Sequence, residues 1–212
     1  MNIPHNQLES MMDSLVNNSW FEWHNAIPKN ICLDLLNEVK HYNQVGALQP
    51  AGIGRGHQHQ LAKELRRDQI KWLNGSTPAQ IAYLAIMNTL QQELNRALFL
   101  GLFEYECHFA VYNKGDFYKK HKDSFKGNAN RIVTTVLYLN QEWQADWGGE
   151  LIIYDTQGTE SLAKILPQIG KVVIFMSENL PHEVATTLHP RSSIAGWFRV
   201  NNTNSLHLDP AL

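Results

Sequence analysis

Residues 118–127 read YKKHKDSFKG, so His121 and Asp123 stand two positions apart. In an extended segment residues i and i+2 point to the same side, and this pair presents one imidazole and one carboxylate to a shared point. A lone H-x-D is a weak signal, because roughly 0.4 such tripeptides are expected by chance at this histidine and aspartate content. The chain holds a second one, His207-Leu208-Asp209, with no histidine after it, and that pair is assigned to chance. His121 and Asp123 have a further partner. His182 lies 59 residues beyond Asp123, directly after Pro181 at the start of HEVATTL, and can supply a third ligand. Two imidazoles and one carboxylate on one face leave the other coordination positions open, the arrangement used by non-haem Fe(II) oxygenases.

Chemistry of that type draws on a two-electron co-substrate, and a dicarboxylate keto acid needs a cation at its far end. Arg191 lies nine residues beyond His182, where a short hairpin would return the chain alongside the metal. Its guanidinium can grip a carboxylate through two parallel hydrogen bonds, which a lysine cannot reproduce. Tyr138 and Tyr112, on strands expected to flank the pocket, add phenolic donors. Each residue has a plainer explanation alone: a strand tyrosine is more often packing, an arginine at a strand start more often a solvated rim residue. The order and spacing of the set favour a site.

The elements that must position these residues follow from periodicity. The first quarter reads as helical with a strand at its beginning. In PKNICLDLLNEVKHY, Ile31, Leu35, Leu36 and Val39 fall near helical spacing, and Pro28 suits a first turn. QPAGIGRGHQHQ reads as a long loop. A second helix is predicted from Ser76-Thr77-Pro78 to about Leu98, with Ile81, Leu84, Ala85, Met87 and Leu90 as its apolar face. From residue 104 the period changes. CHFAVY, RIVTTVLYLN, GELIIYD, GKVVIFMS, HEVATTL and SSIAGWFRV are short, β-branched or aromatic runs bounded by turn residues. Helices followed by six short strands predict an α+β chain whose second half is a β-sandwich or barrel enclosing a pocket.

Bulk properties bound the function classes. At 212 residues, with no repeat or linker-like stretch, one domain spanning 1–212 is expected. A net charge of −2 gives no electrostatic footprint for nucleic acid, although Lys119, Lys120, Lys122 and Lys126 make a local basic patch. Cys32 and Cys107 are too few for a disulfide framework. MNIPHNQLESMMDSLV lacks the basic start and apolar run of a signal peptide, and no run approaches bilayer-spanning length, so a cytoplasmic, reducing location without membrane contact is expected.

Taken together, Tyr112 … Tyr118-x-x-His121-x-Asp123 … Arg131 … Leu137-Tyr138-Leu139-Asn140 … Trp143 … Gly148-Gly149-x-Leu151 … Pro181-His182-Glu183-Val184 … Arg191 … Trp197-Phe198 resembles the 2-oxoglutarate- and Fe(II)-dependent prolyl 4-hydroxylases. The resemblance is to the oxygen-sensing branch, the hypoxia-inducible-factor prolyl hydroxylases and their bacterial relatives. Arg66-Arg67-Asp68-Gln69-Ile70-Lys71-Trp72 is similar to that branch's R-x-D-x-I-x-W, and the likeness covers about residues 20 to 200. It implies a double-stranded β-helix (jelly-roll, cupin-like) core with supporting N-terminal helices. It also implies His121, Asp123 and His182 as iron ligands, with Arg191 and Tyr138 on the distal carboxylate of 2-oxoglutarate. Tyr112 would sit near the carboxylate that is lost, and Leu151 would line the cofactor pocket. Arg131 and Trp197 would stand at the substrate groove, and Ala51–Arg67 would be a lid anchored by Arg66 and Asp68. Where the animal enzymes carry a threonine four residues after the cofactor arginine, this chain has Ala195, which implies a missing hydrogen bond to water or co-substrate.

The activity so implied is hydroxylation at C4 of a prolyl residue in a protein substrate, using Fe(II), 2-oxoglutarate and O2, with ascorbate as reductant and release of succinate and carbon dioxide. A lid fits the need to keep water from an oxidising centre. His57 and His59 within it suit an exposed loop better than a second metal site. HEVATTLH has its second histidine seven residues after the first, so the zinc-protease pattern H-E-x-x-H is rejected. Two other readings stay open. One is a nucleic-acid demethylase on the same scaffold, with Arg199 as its additional arginine. The other is a non-catalytic sensor that reports oxygen or 2-oxoglutarate by binding a partner protein.

Overall fold

Antiparallel pairing organises the second half of the chain, and helices cover one face of it. The computed structural model describes residues 3–52, 62–124 and 130–201. His57, His59, Lys126, His207 and Asp209, together with residues 53–61 of the expected lid, lie outside the described residues.

Helix α1 (His5–Asn18) comes first, strand β1 (Trp20–Trp23) follows, and α2 (Lys29–Gln44) comes next, so the strand lies between two helices rather than ahead of them. Pro28 stands at the N-cap of α2, one residue before the first turn, with an extended ψ of 136°. Helix α3 (Pro78–Leu98) starts as its residue types require. The Thr77 hydroxyl accepts the Gln80 N–H at 3.2 Å, and Pro78 takes the first helical position, where a missing N–H costs nothing. Its buried stripe is Tyr83, Ile86, Met87, Leu90 and Leu94, whereas Ile81, expected on that face, is 58% exposed. The reason is rotation: two residues along an α-helix turn about 200°, which carries Ile81 and Ala85 away from Tyr83 and Met87.

Eleven strands form among the described residues. After β1 come β2 (Gln49–Pro50), β3 (Gln69–Trp72), β4 (Glu104–Tyr112), β5 (Tyr118–His121), β6 (Arg131–Tyr138), β7 (Leu151–Tyr154), β8 (Ser161–Ile165), β9 (Val172–Met176), β10 (His182–Val184) and β11 (Arg191–Arg199). The long sheet has the order β1-β9-β6-β11-β4-β3-β2 and the short sheet β5-β10-β7-β8. This is a double-stranded β-helix backed by helices, the fold expected from the resemblance. HEVATTL forms a strand only over His182–Val184.

Both faces of the long sheet are buried, which explains why its strands read as nearly continuous apolar runs. On β4, Cys107, Phe109 and Val111 turn toward the helices and join Leu35, Val39, Tyr83, Leu90 and Phe198 in the main core. The alternate residues Glu104, Glu106, His108, Ala110 and Tyr112 turn toward the short sheet. There a second apolar cluster, Val136, Tyr138, Leu151, Ile153, Ile165, Val173, Phe175 and Leu180, ties the two sheets together. Polar residues that line the interior therefore sit on a floor held rigid from both sides.

Candidate active site

Residues 118–121 form β5, and β10 pairs with it so that His182 stands directly opposite His121. Asp123 follows two residues beyond His121. Nε2 of His121 is 3.5 Å from Asp123 Oδ1, and Nε2 of His182 is 3.6 Å from Asp123 Oδ2. One candidate ligand atom from each of the three lies within 4.8 Å of the others. The tautomers suit a metal: Nδ1 of His121 donates to the Lys119 carbonyl at 2.7 Å, and Nδ1 of His182 donates to the Leu180 carbonyl at 3.1 Å. Both Nε2 lone pairs are thereby turned inward.

Electrostatics point the same way. Burial alone would raise the Asp123 carboxyl, but His182, His121 and Arg131 together hold it well below the usual carboxylate range. Burial and His121 lower His182 to about 4, so its ring is neutral and ready to ligate. Two supports were not singled out from sequence. Thr134 on β6 donates its hydroxyl to Asp123 Oδ2 at 2.8 Å and also meets Ser177 at 2.8 Å. Tyr118 stacks on His121, and Phe175 meets His182 edge-on at 4.6 Å. Tyr118 was visible as the first residue of Y-x-x-H-x-D; Thr134 carried no local signal.

Arg191 reaches the pocket by a route the hairpin expectation did not foresee. Strand β10 belongs to the short sheet, and β11 pairs with β4 and β6 in the long one, so the chain crosses between sheets after His182. Arg191 is 1% exposed. Its Nε donates to the Gly149 carbonyl at 2.9 Å and Nη1 to Ser193 Oγ at 3.0 Å. The Gly148-Gly149 turn therefore holds the arginine in place: both glycines have positive φ, and a Cβ on Gly148 would collide with the Thr186 carbonyl.

Two buried polar atoms at this end have no hydrogen-bond partner: Arg191 Nη2 and Tyr138 Oη. The Arg191 guanidinium carbon lies 5.1 Å from the Tyr138 ring centre and 4.9 Å from that of Tyr112. Burial pushes the phenols of Tyr112 and Tyr138 up, so both keep their protons. Leu151, 1% exposed, closes the wall beside Tyr138. A buried cation with one unused donor beside an unused phenol is the chemistry of a carboxylate subsite, because such donors are costly unless something accepts from them.

At the other end of the floor, Arg131 bonds Glu106 at 2.7 Å, and its guanidinium lies 3.6 Å over the Trp197 ring. Arg199 extends the charge ladder to Glu104 at 2.7 Å. The side chain of Arg66 forms a two-point ion pair with that of Asp68, at 2.8 and 2.6 Å, and also donates to the Gly52 carbonyl at 3.2 Å. Burial opposes the charge of Arg66, and Asp68 more than offsets it. The guanidinium also lies 4.3 Å over Tyr118. The structure therefore gathers His121, Asp123 and His182 at one point, with Tyr112, Tyr138, Leu151 and Arg191 at one end of the floor. Arg131 and Trp197 stand at the other end, and the Arg66–Asp68 pair touches the His121–Asp123–His182 cluster through Tyr118.

The fold and this site define a class, and comparison with known proteins agrees with it. Residues 107–199 match the 2OG-Fe(II) oxygenase superfamily. A solved prolyl-4-hydroxylase of Pseudomonas putida is 36% identical, with a TM-score of 0.82 over 92% of this chain and 100% of that one. A prolyl hydroxylase of Trichoplax adhaerens, solved with a hypoxia-inducible-factor peptide, is 25% identical with a TM-score of 0.80, over 92% of this chain and 89% of that one. Egl nine homolog 1 of Mus musculus is 29% identical over 145 residues, which are 65% of this chain, and the match spans only 36% of the mouse protein. The chain belongs to the prolyl hydroxylase family of 2-oxoglutarate- and Fe(II)-dependent oxygenases, with Fe(II) as cofactor and 2-oxoglutarate and O2 as co-substrates. Among the described residues no helix is long and apolar enough to cross a membrane.

Proposed function

We propose that this chain hydroxylates C4 of a prolyl residue in a protein or peptide, with 2-oxoglutarate consumed and succinate and carbon dioxide released. The observation that carries the reading is the pairing of the His121–Asp123–His182 cluster with an unpartnered Arg191 nitrogen and Tyr138 hydroxyl on one pocket floor. In this reading the two imidazoles and the carboxylate hold Fe(II). When bound, the metal with 2-oxoglutarate and O2 supplies the oxidising power that places one oxygen atom into a C–H bond.

The protein's own residues position and shield. Arg191 and Tyr138 would donate to the distal carboxylate, and Gly149 and Ser193 keep the guanidinium from swinging away. Tyr112, whose ring centre lies 4.9 Å from the Arg191 guanidinium, would border the co-substrate beside Tyr138. Thr134 orients Asp123, and Leu180 and Lys119 fix the two imidazoles through their backbone carbonyls. Arg131 and Trp197 form the rim against which the substrate lies, and Arg66 with Asp68 anchors the stem of a lid. Residues 1–212 act as one domain in this reading, in a cytoplasmic setting with ascorbate as reductant; the two buried free cysteines are in keeping with a reducing compartment.

The test is incubation of the protein with Fe(II), 2-oxoglutarate and a proteome digest, with peptides sorted by mass. Expected is the gain of one oxygen atom on proline-containing peptides, abolished by His121→Ala or Asp123→Ala. Succinate formation without any modified proline would overturn the reading.

A further inference from the structure

His108 has no part in the metal cluster or in the carboxylate subsite, yet it stands on the same floor between them and the rim. On β4 it faces Ala195 of β11 on one side and Trp72 of β3 on the other. Ala110 is the next residue along β4 on that face. Toward the Arg191 end, then, the imidazole is bordered by methyl groups. Trp72 meets it edge-on at 5.1 Å, and Trp197 lies tilted at 5.4 Å. Only 3% of the residue is exposed.

The tautomer is set by the backbone. Nδ1 lies 3.1 Å from the Phe109 carbonyl oxygen, which can only accept, so Nδ1 carries the hydrogen. Nε2 is left as a lone pair with no hydrogen bond to any described residue. Burial, with help from Arg66 and Arg131, lowers the ring to about 4, so it stays neutral and Nε2 stays an acceptor.

An acceptor in this place has few partners. It is not a member of the ligand cluster. A dicarboxylate keto acid presents acceptors alone, and two facing lone pairs repel, so His108 does not hold the co-substrate. The buried indole N–H of Trp197 also has no partner, but no hydrogen bond joins it to His108; what remains is a donor on the molecule being hydroxylated. Proline has no N–H, and the amide donor nearest its ring along a peptide is that of the residue that follows. Resting on the prolyl-hydroxylase reading above, we infer that His108 is a specificity-determining residue of the substrate channel, whose Nε2 accepts the backbone N–H of the residue after the target proline. The channel then disfavours substrates in which that N–H is missing, Pro-Pro sequences among them.

The test uses two pools of short blocked peptides with one central proline and the other positions randomised. They are identical except that an ester replaces the amide after the proline in the second pool. Wild-type protein with Fe(II), 2-oxoglutarate and O2 is expected to hydroxylate the amide pool about tenfold better, the size of one buried hydrogen bond. His108→Phe is expected to bring the ratio near one, and His108→Gln, which keeps an acceptor oxygen, to restore part of it. Unchanged Mn(II) affinity shows that a variant is folded, and His108→Gln serves alone if the phenylalanine variant is not. A wild-type ratio near one overturns the inference, as does a ratio that survives His108 replacement; an ordered water on Nε2 would produce the first result. Absence of hydroxylation in both pools, with Mn(II) still bound, removes the prolyl-hydroxylase reading itself and the inference with it.

Discussion

Tyr118 lies flat on His121, with ring centroids 3.5 Å apart and planes inclined by 14°. The Arg66 guanidinium covers the other face of the same tyrosine at 4.3 Å. The imidazole is therefore held by a stack as well as by its Lys119 hydrogen bond, and Asp123 is held by Thr134. Groups that orient ligands typically change metal affinity by about 10–100-fold when removed. Tyr118→Ala and Thr134→Val are each expected to weaken Mn(II) binding within that range, with Tyr118→Phe close to wild type. Titration followed by electron paramagnetic resonance reads the effect, and an unchanged affinity in both would show that neither residue positions a ligand.

Tyr138→Phe should move stability and co-substrate affinity in opposite directions. Its hydroxyl is buried and unpartnered, so removing it in the empty protein is expected to be neutral or to stabilise by up to about 1 kcal/mol. The affinity for 2-oxoglutarate is expected to fall about 5–10-fold, because the donor is used only when the acid is present. Arg191→Lys should lower both, since an ammonium cannot bond Gly149, Ser193 and a carboxylate in the planar fork that Arg191 uses. Calorimetric titration and thermal unfolding separate the two cases.

The Arg66–Asp68 pair is nearly dry, with side chains 11% and 0% exposed. Asp68→Asn strands a buried guanidinium, for which the expected cost is about 3–5 kcal/mol. The double change Arg66→Met with Asp68→Asn should recover most of that loss. Urea unfolding measures both, and a single variant as stable as the wild type would show that the pair relaxes into solvent.

His108 sets part of the acid limit. Its folded value of about 4 lies below the usual 6.5, because burial and the nearby Arg66 and Arg131 oppose its charge while Asp68 partly favours it. A depressed histidine contributes stability that is complete above pH 6.5 and drains as pH falls through 4. The full span is on the order of 3 kcal/mol. His108→Gln, which cannot take up a proton, is expected to flatten the loss of stability between pH 6.5 and 4 relative to wild type. Identical slopes in urea unfolding at a series of pH values would refute it.

What the amino-acid order determined by itself is what depends on neighbours in the chain. His121 and Asp123 reach one point because only one residue separates them, although β5 ends at His121 and Asp123 lies in the bend that follows. Thr77 and Pro78 start α3 because a hydroxyl cap and a missing N–H suit that position wherever the helix lies. The central strands were legible as β-branched runs, whereas β5 (YKKH) and β8 (SLAKI) were not, since each leaves residues exposed and lacks such a run. Pairing was decided elsewhere. That His182 faces His121, that Arg191 arrives on the opposite sheet, that Thr134 reaches Asp123 and that His108 stands against Ala195 all follow from the register of strands distant in sequence. Register is set by burying both faces of the long sheet at once, one on the helices and one on the short sheet. That constraint exists only when the whole chain is packed, and so only the tertiary structure could place these side chains together.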